Sequence, residues 1–210
     1  MLIPVYVYIN GGGMILSHRT DPNRAYRLFD PKRKKLITPN QALKLLELEE
    51  FENVADLGAG NGYFTLSLTN KSKMVYAVDI EPRMLKLLME SAQKENISNI
   101  RYVESNLEDI KLEKNNVDKA LIAFVIHEVP DMKVVLGEIR RILKPGGMLV
   151  LLEWEAVETE IGPPMEQKVP SITMKKLLEQ NGFSTKVVHL NQSIYAIIAT
   201  KLKFRRIKNV

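Results

Sequence analysis

Apolar positions along this chain recur in two rhythms. Val54–Leu57, Met74–Asp79 (MVYAVD), Ile100–Val103, Val117–Phe124 (VDKALIAF) and Met148–Leu152 are short and nearly unbroken apolar runs. Runs of that length, rich in Val, Ile and Leu, read as strands buried on both faces. Between them the apolar residues fall three or four apart, the spacing of a helix with one buried stripe. Leu43, Leu45, Leu46 and Leu48 mark one such helix, which stops near Glu50. Asn61–Leu68, Pro82–Lys94, Met132–Leu143 and Ser171–Gln180 are the others. Pro82 stands in a first turn, where proline is tolerated. Lys144-Pro145-Gly146-Gly147 closes the helix that carries Val135, Leu136, Ile139 and Ile142. Near the C-terminus the alternation breaks. Ser184–Leu190 and Ile194–Thr200 are joined by Asn191-Gln192-Ser193, a hairpin-length turn. Strands alternating with helices predict an α/β domain with a mostly parallel sheet covered on both faces. The closing hairpin predicts that the last strand is antiparallel.

The sharpest local feature is VADLGAGNGYFT, Val54–Thr65, with Gly58, Gly60 and Gly62 directly after the first strand. Glycine in such a place costs conformational entropy, so bare backbone is needed there. In open α/β sheets ligands bind beyond the carboxyl ends of the strands. A glycine turn leading into a helix offers N–H groups and partial positive charge to an anion. Dinucleotide-binding folds use a similar turn, so the glycines alone do not name the ligand. Asp56, two residues before Gly58, serves a pyrophosphate poorly. It suits a ligand that carries both an ammonium and a carboxylate. Asp79 ends the second strand, where an acid can accept hydrogen bonds from ribose hydroxyls. The alternative for Asp79 is a helix cap before Glu81-Pro82.

Composition narrows the field. The chain of 210 residues is 45% hydrophobic, enough for one domain with a sizeable core. It has no cysteine, which removes disulfides, thiolate metal sites and a cysteine nucleophile, and fits a reducing cytoplasm. No cluster has metal-ligand spacing, and no apolar run approaches the roughly 20 residues of a membrane span. The net charge of +5 is unevenly spread: residues 1–40 carry seven Lys/Arg against two acids, residues 201–210 carry five Lys/Arg and no acid, and the middle is acidic. Such basic ends suit an anionic substrate, nucleic acid or anionic lipid, or are simply solvated.

DLGAGNG, AVDIEPRML, HEVPD and LKPGGMLVLLEW, in that order and spacing, resemble the motifs of the class I S-adenosylmethionine-dependent methyltransferases. The branch most resembled is that of the ubiquinone/menaquinone-biosynthesis C-methyltransferases, over roughly residues 40–200. The resemblance implies a Rossmann-like seven-stranded sheet with an antiparallel last strand, and S-adenosyl-L-methionine as cosubstrate without a metal. The resemblance together with the charge distribution marks three segments: a basic arm at 1–38, the methyltransferase domain at 39–200 and a basic tail at 201–210. Asp56, Gly58, Ala59 and Gly60 then correspond to the cradle of the methionine part. Asp79 corresponds to the ribose-binding acid, and Ile80 would pack on the adenine. Many members have an acid where Asn106 stands, facing the adenine amino group; an Asn oxygen can still accept there, with Leu107 adding backbone contact. Ala123 and Phe124 would flank the transferring methyl.

Methyl transfer from a sulfonium is an in-line displacement that needs a base only when the acceptor must lose a proton. His127, followed by Glu128, stands after the fourth strand as the candidate base or steering group, or as a structural histidine bonded to backbone. Glu153-Trp154-Glu155 closes the fifth strand on the same rim, with Trp154 either lining a pocket or packed in the core. Ile161–Pro164 reads as a rigid loop over the site. Ser17–Thr38, with Tyr26, Leu28 and Phe29 among its basic residues, would cover the mouth. The expected acceptor is a small molecule, an anionic one being compatible with that cover. An RNA or protein methyltransferase is the alternative; the exocyclic-amine signature Asn-Pro-Pro-aromatic is missing, since AFVIHEVP stands in its place. A cofactor-binding scaffold without turnover is a further rival. The oligomeric state is left open by the sequence.

Asn10-Gly11-Gly12-Gly13-Met14 can be read as the translation of a purine-rich ribosome-binding sequence, which would make Met14 the natural start and residues 1–13 absent from the native protein. Mass spectrometry of that protein should then find no peptide upstream of Met14; finding one overturns the reading.

Overall fold

The structure, a computed structural model, describes residues 3–9, 13–19 and 36–203. Seven strands form the main sheet: β3 (Asn53–Leu57), β4 (Met74–Asp79), β5 (Ile100–Glu104), β6 (Val117–Ala123), β7 (Leu143–Trp154), β8 (Phe183–His189) and β9 (Ile194–Lys201). Their order is β5-β4-β3-β6-β7-β9-β8. All pairings are parallel except those of β9, which runs against both β7 and β8. The α/β expectation, including the antiparallel last strand, holds. That strand is not at the sheet's edge, however: β8 crosses to the outside first, and the hairpin folds β9 back into the gap.

Alternation within each strand assigns the helices to faces. Ala55 and Leu57, Ala120 and Ile122, and Leu149 and Leu151 join the buried cluster with Val135, Leu136 and Ile139 of α4 (Met132–Ile142) and Met174 and Leu178 of α5 (Ser171–Gln180). Val54, Val75, Leu121 and Val150 face the other way. They pack on Ala42 and Leu46 of α1 (Pro39–Leu46) and Leu68 of α2 (Thr65–Leu68). Ala77 meets Leu85 and Leu88 of α3 (Pro82–Lys94) on that same face. Thr38 starts α1 with a reciprocal capping box to Gln41, which satisfies two otherwise orphaned donors.

Several boundaries differ from expectation for physical reasons. Ile37 is 1% exposed, so the core begins before residue 39. Lys201 is not a solvated tail residue. It is buried in β9 and donates to Leu143 O and Asn115 Oδ1, and burial lowers its pKa. β7 starts at Leu143, directly after α4, so Lys144–Gly147 lies within the strand's span. The helix expected over Asn61–Leu68 is a single turn, because Gly60 (φ +55°) and Gly62 (φ +93°) keep the backbone out of the right-handed region before it. An N-terminal hairpin, β1 (Ile3–Ile9) with β2 (Gly13–Arg19), was not expected. Its signal is the β-rich run IPVYVYI followed by Asn10-Gly11. Residues 10–12, most of the cover expected at 17–38, and the tail beyond Lys203 lie outside the described residues.

Two glycine substitutions should move stability in opposite directions. At Gly62 a Cβ would overlap Leu88 Cδ1, at a φ that L-residues avoid. Gly62→Ala should therefore cost about 2–4 kcal/mol from strain and overpacking. Gly137 is exposed within α4 with nothing near its missing Cβ, so Gly137→Ala should add about 0.5–1 kcal/mol. Denaturant titration measures both; equal effects would mean that the glycine loop is not packed against α3 as described.

Candidate active site

The strand order diverges between β3 and β6. One chain direction leads away to β4 and β5, the other to β7, and a crevice opens beyond their carboxyl ends. Gly58 leaves β3 at φ +75°, and a Cβ on it would stand 2.5 Å from Val125 Cγ2, just past β6. The two loops that bound the crevice are thus in contact, and only glycine fits the seam.

Across β3–β4 the glycine loop is held by an acid. Asp79 Oδ2 accepts the Gly60 N–H at 2.7 Å, and its Oδ1 accepts the Glu81 N–H at 2.9 Å. Burial pushes the Asp79 carboxyl up from its ordinary value, the backbone donors of Glu81, Gly60 and Ile80 working against that. Asp79 is not the cap of α3; Glu81 is, taking the Arg83 N–H. Ile80 beside it remains 39% exposed, an apolar side chain left at the mouth. Asp56 is only 2% exposed and sits beneath the loop, where its Oδ2 accepts the Thr65 hydroxyl at 2.6 Å. Thr65 was not among the expected site residues; its place on α2 decides the contact.

On the β5 side, the Ser105 N–H donates to Asp79 O, which carries the chain around to Asn106. Asn106 is exposed, and its Oδ1 accepts the Glu108 N–H at 3.1 Å in a local turn. Leu107 is buried in the core. Both lie past the end of β5, next to β4 in the sheet.

Ala123 ends β6, buried, and Phe124 follows at φ +59°. A bulky residue in the left-handed region stores strain, and such outliers cluster at functional sites. The Phe124 N–H is held by Leu152 O, and its ring lies 5.6 Å from the Trp154 ring, centroid to centroid. Trp154 is 6% exposed and packed. Gly162 backs onto its indole, and Lys168 Nζ stands over it at 5.8 Å. The same amine, itself buried, donates to Val157 O (2.6 Å) and Thr159 Oγ1 (2.7 Å). Lys168 therefore pins the loop at 157–162 from inside. Glu155, in turn, accepts the Ser171 N–H at the start of α5.

Glu153 and Trp154 both stand at this rim, at the end of β7, but on opposite faces. Strand alternation sends Trp154 toward Phe124 and Glu153 to the opposite face. There Glu153, fully buried, accepts at Oε2 from His127 Nδ1 at 2.8 Å. Its Oε1 takes the Trp154 N–H at 2.7 Å. His127 stands in the 3-10 turn Ile126–Glu128, its Nε2 3.9 Å from Glu128 Oε1. The expected structural alternative, a histidine bonded to backbone, is replaced by a carboxylate partner. Burial on its own would lower the His127 pKa; the hydrogen bond and charge of Glu153, with Glu128 behind it, outweigh burial and raise it. Among the described residues no group of three or more His, Asp or Glu is arranged to hold a metal ion, and no helix is long and apolar enough to cross a membrane.

Residues 55–151 match a methyltransferase-domain family model. A crystal structure of a SAM dependent methyltransferase from Aquifex aeolicus superposes with a TM-score of 0.82 at 29% identity, covering 88% of this chain and all of the other. The chain is thus similar in sequence and fold to S-adenosylmethionine-dependent methyltransferases. Its sequence is also similar to methyltransferases named for quinone biosynthesis. It is 38% identical over 109 residues to the ubiquinone/menaquinone biosynthesis C-methyltransferase UbiE of Rhizobium meliloti, covering 50% of this chain and 42% of that protein. It is 31% identical over 116 residues to the demethylmenaquinone methyltransferase of Staphylococcus carnosus, covering 54% and 47%. The chain thus spans about half the length of the curated relatives it matches.

Lys168→Ala should release the loop at 157–162 while leaving the sheet intact. Losing two charge-assisted hydrogen bonds predicts at least about tenfold faster amide hydrogen exchange at 157–162, with the amides of β6 and β7 unchanged. Uniform acceleration across the domain would show that Lys168 supports the fold rather than the loop.

Proposed function

We propose that this protein is an enzyme that transfers a methyl group from S-adenosyl-L-methionine to a small-molecule acceptor. The observation that carries the reading is the bond from the Gly60 N–H to Asp79, which ties the glycine loop to an acid at the switch point with exposed Ile80 alongside. These residues fit the nucleoside. Each Asp79 oxygen keeps acceptor capacity for a ribose hydroxyl, and Ile80 supplies an apolar face for adenine. Asn106 and Leu107 border that face. The backbone of Gly58, Ala59 and Gly60 meets the methionine end, and the buried charge of Asp56 below the loop favours its ammonium. Ala123 and Phe124 bound the place where the methyl is handed on. The cosubstrate supplies the electrophilic methyl; the chain's residues supply position, with His127 as the candidate proton acceptor.

The relatives named above are named for ubiquinone and menaquinone biosynthesis, so a quinone-type small molecule is the first acceptor to try. An RNA or protein acceptor gains no support from them, and the basic arm that suggested it lies largely outside the described residues. The organisation into arm, domain and tail, and a cytoplasmic setting suggested by the cysteine-free composition, belong to the same reading.

Calorimetric titration with S-adenosylhomocysteine tests the assignment. The parent protein should bind at micromolar concentration, and Asp79→Ala should bind about 10–100-fold more weakly, the value of one or two charge-assisted hydrogen bonds. No binding by the parent protein, or equal binding by Asp79→Ala, would overturn it.

A further inference from the structure

We propose that Glu153 is the positioning residue for His127: it takes the Nδ1–H and leaves Nε2 as the nitrogen that accepts a proton. The inference rests on the methyltransferase reading only for what the proton acceptor serves; the pairing itself stands on geometry. Nδ1 and Glu153 Oε2 are 2.8 Å apart, and the His127 side chain is 6% exposed and that of Glu153 0%. Glu153 is held in place, because its other oxygen takes the Trp154 N–H and β7 is paired with β9 at this point. A carboxylate is acceptor-only, so the ring nitrogen facing it must carry the hydrogen. The neutral ring then has its lone pair on Nε2, the nitrogen on the Glu128 side.

A proton arriving at Nε2 produces an imidazolium between two carboxylates, Glu153 on β7 and Glu128 in the ring's own turn at 3.9 Å. Tyr195 of β9, the cross-strand neighbour of Glu153, uses its hydroxyl on Val169 O and offers the pair no further donor. Proton acceptance at Nε2 suits an acceptor that gives up a proton during transfer.

The chain has three histidines, His18, His127 and His189, so ring-nitrogen NMR resolves them without any methyl acceptor. In the parent protein neutral His127 should show hydrogen on Nδ1, and its titration midpoint should lie above the ordinary 6.5. Glu153→Gln should shift that midpoint downward and admit the other tautomer, and Glu153→Asp should restore part of the shift. Stability follows the same sign: a raised folded pKa contributes stability that is complete below the unfolded value and lost as pH rises through the folded one. Glu153→Gln should flatten that slope. An Nε2–H tautomer in the parent protein overturns the proposal and needs no variant, so a poorly folding Glu153→Gln leaves it testable. A midpoint unmoved by Glu153→Gln overturns it as well. The variant should bind S-adenosylhomocysteine within about twofold of the parent; a larger loss would make Glu153 part of the cofactor site and overturn the positioning role. Absence of cofactor binding by the parent with the Nδ1–H tautomer present would instead sink the methyltransferase reading and leave the pair standing.

Discussion

A sheet covered by helices on both faces has nowhere along its strands to place polar chemistry. Burying a charge or an unpaired donor costs kilocalories per group, so interior positions of β3, β4, β6 and β7 are filled by Val, Ala, Leu and Ile. Polar groups are confined to the strand ends and the loops that leave them. Everything that looks functional here obeys that limit: Asp56 and Asp79 stand at or next to the ends of β3 and β4, Phe124 and His127 just past β6, and Glu153 one residue from the end of β7. The glycine loop exists because two of these ends must approach closely. Gly58 is packed on Val125 and Gly62 on Leu88, so glycine is required as much by neighbouring side chains as by any ligand.

The ends are not equivalent. The end that holds Lys201 and the Asp118–Lys144 pair is closed by interactions within the chain: the Lys201 amine ties the end of β9 to the start of β7, and Asp118 takes both the Lys144 amine and the Asn53 N–H. The opposite end keeps strain at Phe124, an exposed Ile80 and a buried histidine between carboxylates. Strain and perturbed groups gathered at a crevice mark it as a candidate binding site.

Lys168 shows how one buried cation organises a loop without secondary structure. Its amine binds Val157 O and Thr159 Oγ1 and stands 5.8 Å from the centre of the Trp154 ring that also contacts Phe124. The loop, the indole and the strained residue beyond β6 are therefore mechanically linked, which gives this side of the crevice a defined wall.

Much of this was legible from residue order alone. Strand and helix periodicity reflects which side of each element is buried, and burial is a local demand that every residue meets separately. That is why β4, α3 and α5 stand where the pattern placed them. The three glycines also announced a backbone forced out of ordinary conformations, and Asp79 a carboxylate at a strand end. Register and face were beyond reach. Whether Glu153 meets His127 depends on two strands lying side by side with a particular alternation, and on a turn between them and α4. The sequence shows both residues 26 positions apart with nothing to join them. Thr65 under Asp56 and the amine of Lys201 inside the sheet are of the same kind. Sequence by itself determined the elements, their order and the motif at the switch point, because those follow from local pattern. Tertiary structure alone decided which polar groups are paired, because a hydrogen bond across the sheet is fixed by geometry that no single segment contains.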